Sequence, residues 1–153
     1  MAQTAFMYTV STHSASESRD LAARLAAQLQ PGDIVALEGD LASGKTTFTQ
    51  GLTQFFKIDE YAASPTFTYM NEYHAGGVTI LHIDAYRLNS GSELIGMGFW
   101  EYVENDAIAI IEWADIVADI LPAEVIRLQF QRDDQVQNQR HITITSPRKL
   151  DLK

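Results

Sequence analysis

An α/β sandwich around a mixed sheet is the fold class that this 153-residue sequence predicts. Three observations carry the expectation. Residues 34–37 and 107–111 are unbroken apolar runs, the pattern of strands covered on both faces in a parallel sheet. Directly after the first run, Gly39-Asp40-Leu41-Ala42-Ser43-Gly44-Lys45-Thr46 completes the pattern G-x-x-x-x-G-K-[ST], which needs a strand before it and a helix after it. Residues 125–130 and 141–146 alternate apolar with polar instead, as half-solvated antiparallel strands do.

The elements follow in order. Residues 6–10 read as a short strand. Ser11, Thr12 and Ser14 are cap-type residues before a helix with Leu21, Leu25 and Leu29 at four-residue spacing. Pro31-Gly32-Asp33 stops that helix and leads into the strand at 34–37. Phe48, Leu52, Phe55 and Phe56 give residues 47–56 a helical period. Pro65 forbids a continuing helix. Residues 67–73 and 78–84 flank His74-Ala75-Gly76-Gly77 as a hairpin. The Gly-rich stretch 89–98 holds a short helix around residues 93–95, and 100–103 continues helical. The strand at 107–111 ends on Glu112-Trp113, and residues 114–121 suit a helix that Pro122 stops. Ile126, Leu128, Phe130, Ile142 and Ile144 then share one face of a strand pair joined by the polar turn 132–139. The expected architecture is a three-layer sandwich of the P-loop NTPase kind, with parallel core strands and antiparallel edge strands, in one domain spanning residues 1–153.

The glycine-rich loop defines the chemistry. Its glycines let the backbone N–H groups of residues Gly39, Asp40, Leu41, Ala42, Ser43, Gly44, Lys45, Thr46 and Thr47 approach phosphate oxygens at a helix N-terminus. Lys45 reaches the β- and γ-phosphates, and the Thr46 hydroxyl can join the coordination shell of Mg²⁺. Hydrolysis needs a further acid for the metal and a group to orient water. Asp84 and Glu112 stand at the carboxyl ends of apolar strands, the edge where α/β sheets bind ligands. Ser64-Pro65-Thr66 offers a hydroxyl-bearing switch for the γ-phosphate. His82 alternates within its strand and reads as a core histidine with a satisfied ring.

Composition narrows the function classes. The 20 acidic and 11 basic residues give a net charge of −9, unlike the basic face of a protein that grips nucleic acid by itself. The chain has no cysteine, so a Cys-based zinc site and thiol catalysis are excluded. The first residues lack a basic segment followed by an apolar one, and no run nears the ~18 apolar residues of a membrane span. A cytoplasmic protein with no membrane partner is the expectation.

The blocks Gly39 to Phe48, Ser64-Pro65-Thr66-Phe67, His82-Ile83-Asp84-Ala85-Tyr86-Arg87-Leu88 and Ile111-Glu112-Trp113 occur in an order and spacing that closely resemble the TsaE (YjeE) family. The phosphate loop is common to many ATPases; the D-x-Y-R-L and E-W blocks are far more specific. The resemblance implies a bacterial cytoplasmic, Mg²⁺-dependent ATPase that assists formation of N6-threonylcarbamoyladenosine (t6A) at position 37 of tRNAs reading ANN codons. It implies action on the TsaB–TsaD pair, with tRNA met only through that complex, and ATP and Mg²⁺ as cofactors. By position, Thr46 and Glu112 would hold the metal, Gly39 to Thr47 the phosphates, and Asp84 the metal or the attacking water. Lys45, Asp84 and Glu112 are then the catalytic set, Ser64 to Thr66 the switch, and Trp113 a neighbour of the nucleotide. Ser14 and Ser16, near the first helix, are the implied purine contacts, and Arg140 is the implied nucleotide-binding arginine of the last hairpin. The family usually carries Gly-Ala where this chain has Ala42-Ser43, so a positive φ at Ala42 would bring strain.

Two other readings compete. A small-molecule or nucleoside P-loop kinase would need an arginine-bearing lid, yet Arg127 is the one Lys or Arg between Arg87 and Arg132. An interaction module with a vestigial nucleotide site conflicts with the intact Lys45, Thr46, Asp84 and Glu112.

Overall fold

In the computed structural model, which describes residues 5–58 and 69–153, the two apolar runs form the middle of a seven-stranded sheet. The elements are β1 (Phe6–Thr12), α1 (Ala15–Ala26), β2 (Ile34–Gly39), α2 (Lys45–Phe55), β3 (Met70–Ala75), β4 (Val78–Asp84), α3 (Gly91–Gly96), α4 (Phe99–Glu104), β5 (Ile108–Glu112), a 3-10 segment (Ala114–Ile120), β6 (Ile126–Arg132) and β7 (Arg140–Ser146). The spatial order is β1-β7-β6-β2-β5-β4-β3. β2 runs parallel to β5 and β6, and β4 parallel to β5, while β1–β7, β6–β7 and β3–β4 pair antiparallel. The expected parallel core with antiparallel edges is the architecture observed.

Alternation along the central strands feeds two cores. Val35 and Leu37 of β2, Ile108 and Ile110 of β5, and Leu128 of β6 meet Leu21, Leu25, Phe48 and Leu52 of α1 and α2. Ile34 and Ala36, Leu81 and Ile83, and Ala109 and Ile111 meet Leu94, Phe99 and Val117 on the opposite face. Each fully buried Leu, Ile or Phe contributes about 1.5–3 kcal/mol of apolar burial, so a strand apolar on both faces is held from both sides. The chain leaves β2 toward β3 at one edge but leaves β5 toward β6 on the other side. The carboxyl ends of β2 and β5 are therefore a topological switch point, where such sheets form a crevice.

Local chemistry explains the element ends. The Ser14 hydroxyl accepts from the Glu17 N–H at 3.1 Å, and the Glu17 carboxylate accepts from the His13 N–H at 2.7 Å. The Ser14 cap starts α1, and the Glu17 side chain reaches back past it to the N–H of the preceding residue. The backbone donor from His13 holds the Glu17 carboxyl below the ordinary glutamate value. α1 ends at Ala26, earlier than the leucine spacing suggested, and Leu29 packs on the core from the turn before Pro31. The helix expected at 114–121 is present as a 3-10 segment over residues 114–120, with a break at Val117. Trp113 before it is left-handed (φ 58°) and Val117 inside it is non-helical (φ −108°, ψ 16°), so no continuous α-helical ladder is built across it. The polar partners on the outer face of β6 and β7, Arg127, Gln129, Thr143 and Thr145, alternate as expected.

Candidate functional site

β2 delivers the phosphate loop to the switch point, and two glycines let it turn. Gly39 has φ 149°, and a Cβ there would stand 2.7 Å from both the Phe130 carbonyl and the Ser43 Oγ. Gly44 (φ 113°) caps α2 without a side-chain hydrogen bond, so the first-turn donors of an 11-residue helix are left to the cleft. Ala42 is left-handed (φ 61°), the conformation for which a glycine is the unstrained choice.

Lys45 is buried at 4% exposure. Its Nζ donates to the Gly39 carbonyl, to the Asp40 carbonyl at 2.8 Å and to Ser43 Oγ at 3.4 Å. The same ammonium lies 3.9 Å from the centre of the Trp113 ring, and Trp113 in turn packs on Tyr86 with ring centres 4.9 Å apart. Burial pushes the Lys45 ammonium below the ordinary lysine value, against the carboxylates of Glu112, Asp115, Asp40 and Asp84. The cation is thus parked on the loop's own carbonyls and an aromatic face, in an acidic surround.

Glu112 ends β5 beside the start of α2. The Thr46 hydroxyl donates to its Oε1 at 3.1 Å, and His82 Nε2 lies 2.7 Å from its Oε2. Ile80, His82 and Asp84 alternate toward the α2 side of β4, as Ile108, Ile110 and Glu112 do on β5. Asp84 is the register partner of Glu112, and its Oδ1 accepts from the Tyr86 N–H at 3.1 Å. Thr46 and Glu112 present hard oxygen donors within one metal's reach, with a second carboxylate, Asp84, on the neighbouring strand. That set could hold Mg²⁺, which takes few protein ligands and fills its octahedron with water and phosphate. Among the described residues, no group of three or more His, Cys, Asp and Glu is gathered as a dedicated metal cage.

Loop residues 41–47, Trp113 and Arg140 line an open cleft of about 280 Å³. A smaller hollow of about 90 Å³ continues past Gly44, Thr47 and Arg140 to Ser14, Ser18 and Asn138. Gly39 and Asp40 contribute carbonyls to Lys45 at the loop's base. Ser14 and Arg140 therefore stand beside the loop, whereas Ser16 is exposed on the first turn of α1 and does not line either space. Ser64, Pro65 and Thr66 lie outside the described residues. Two members of the surround escaped the sequence reading. His82, which reads as a core histidine with a satisfied ring, is largely enclosed, and its ring partner is Glu112, a contact that the sequence pattern does not reveal. Asp115, three residues after Glu112, acts on Lys45 through a turn whose left-handed start no pattern announced.

Comparison with known proteins agrees with this geometry. The family model described as "Threonylcarbamoyl adenosine biosynthesis protein TsaE" matches residues 12–142. A Bacillus subtilis protein named tRNA threonylcarbamoyladenosine biosynthesis protein TsaE is 38% identical over 132 residues, covering 85% of this chain and 80% of the relative. A Streptomyces coelicolor protein of the same name is 33% identical over 131 residues, covering 83% of this chain and 88% of the relative. The crystal structure of Bacillus subtilis YdiB superposes with a TM-score of 0.77 at 30% identity, covering 96% of this chain and 90% of that one. With the phosphate loop, the D-x-Y-R-L block and the E-W block all in place on the matching fold, this chain belongs to the TsaE family of threonylcarbamoyl adenosine biosynthesis proteins.

Proposed function

We propose that this protein is a Mg²⁺-dependent ATPase acting in the formation of t6A at position 37 of tRNAs that read ANN codons. In this reading it works as a nucleotide-driven switch on the TsaB–TsaD pair and meets tRNA only through that complex. Membership of the family supports the pathway. The single observation that supports the chemistry is the junction of Lys45, Thr46 and Glu112 at the N-terminus of α2.

The residues divide the work. First-turn N–H groups of α2 and the loop bind phosphate oxygens. Lys45 exchanges the carbonyls of Gly39 and Asp40 for the β- and γ-phosphates. Thr46 and Glu112 would hold Mg²⁺, which when bound neutralises phosphate charge. Asp84 orients the attacking water. Trp113 and Arg140 bound the nucleotide, and the hollow at Ser14 leads toward the base. The net charge of −9 favours a protein partner over direct contact with a polyanion. In the kinase alternative Arg127 would belong to a lid, but it is committed to Glu38 at 3.2 Å on the sheet face.

Two variants test the assignment. Lys45→Ala should weaken ATP binding by about 10- to 100-fold, the loss of charge-assisted hydrogen bonds to phosphate. Glu112→Ala should retain ATP affinity in EDTA while losing most Mg²⁺-dependent hydrolysis. Equal loss of metal-free affinity in both variants would remove the metal role from Glu112.

A further inference from the structure

We infer that His82 is the positioning residue that fixes Glu112 as a single-oxygen ligand for the metal beside Thr46. This rests on the reading of Glu112 given above. The geometry is a three-element chain: His82 on β4, Glu112 at the end of β5 and Thr46 in the first turn of α2, linked at 2.7 and 3.1 Å. His82 is the register partner of Ile110, so it sits one pleat before Glu112 on the same face of an adjacent parallel strand. Both side chains are largely enclosed, at 16% and 9% exposure.

The consequence follows from the two oxygens being differently used. A carboxylate can only accept hydrogen bonds, so the imidazole nitrogen facing Oε2 is the protonated one. Oε2 tied to β4 leaves Oε1 turned toward Thr46. Mg²⁺ demands near-octahedral geometry with short bonds and favours one oxygen per carboxylate over a chelating pair. Ligand carboxylates are commonly held by such outer hydrogen bonds, and losing the holder costs about 10- to 100-fold in metal affinity. An exposed Asp84 at the same strand end lacks this enclosure, which distinguishes the roles of the two acids.

The test measures the affinity of β,γ-imido-ATP by calorimetry, in EDTA and in millimolar Mg²⁺, for wild type, His82→Leu, His82→Gln and Glu112→Ala. The ratio of the two affinities reads metal coupling and needs no turnover. His82→Leu should lose about tenfold or more of that ratio with its EDTA affinity unchanged, and His82→Gln, which restores an N–H near the Nε2 position, should recover part of it. His82→Leu combined with Glu112→Ala should lose no more than Glu112→Ala alone. A His82→Leu protein that melts earlier but keeps the wild-type ratio would make His82 a structural partner and overturn the inference. Failure of the underlying reading looks different: the wild-type ratio itself would be near one, and Glu112→Ala would leave it there.

Discussion

Ala42 carries a cost that this chain pays inside its phosphate loop. A left-handed non-glycine residue is disfavoured by about 1–2 kcal/mol, and Ala42 sits at φ 61°. Ala42→Gly should raise unfolding stability by about 0.5–1 kcal/mol, the strain relieved less the extra freedom of glycine in the unfolded chain. A urea titration reads this directly, and an unchanged or lower midpoint would show that the loop holds Ala42 without strain. The loop's chemistry was legible from the sequence because its eight residues act on each other locally. The His82–Glu112 contact was not, since the partners are 30 positions apart and meet only through the register of two parallel strands. Ser14 and Ser16 were indistinguishable by type; the capping geometry of α1 turns the first toward the cleft and leaves the second in water.

At the scale of elements, the packing of α1 on α2 sets the position of the phosphate loop's helix. A Cβ at Gly51 would fall 2.7 Å from the Ala22 Cβ and 2.8 Å from the Arg19 backbone. Gly51→Ala should therefore cost about 1–3 kcal/mol as the helices are forced apart, despite the better helix propensity of alanine; a gain in Tm would contradict that contact. The β6–β7 turn responds to acid. Asp133 accepts from His141 Nε2 at 2.9 Å and from the N–H groups of Gln135 and Val136, and these hold its carboxyl down at about 2 from an ordinary 3.8. Between those values the unfolded chain binds more protons than the folded one, so the contribution is full above 3.8 and is lost as pH falls through about 2. Stability profiles of wild type and Asp133→Asn should therefore differ most above pH 3.8 and converge below 2. Parallel and antiparallel strands were separable beforehand because full apolarity and alternation are different patterns. The 3-10 segment was not: residues 114–121 read as helical either way, and no local pattern announces the left-handed Trp113 or the non-helical Val117.

Across the whole molecule, the C-terminal stretch closes the sheet's far end. Arg148 donates to both Asp33 oxygens at 2.9 and 2.6 Å and to the Gln28 carbonyl at 2.8 Å, and the Leu150 N–H donates to the Tyr8 hydroxyl at 2.8 Å. Arg148→Ala should cost about 1–2 kcal/mol, roughly 2–8 °C in Tm for a chain of this size, without changing nucleotide affinity; calorimetric melting with a binding titration separates the two. The candidate site lies at the opposite, carboxyl end of the parallel strands, where Leu41 and Tyr86 are exposed and the exposed Tyr69 meets Asp84 through its carbonyl. Its lysine rests on the loop carbonyls and on the Trp113 ring. The decisive measurement is Mg²⁺-dependent ATP hydrolysis by the purified chain, alone and with the TsaB–TsaD pair added. The account predicts weak turnover alone and strong stimulation by the pair, abolished in Lys45→Ala. Hydrolysis that the pair leaves unchanged would contradict it.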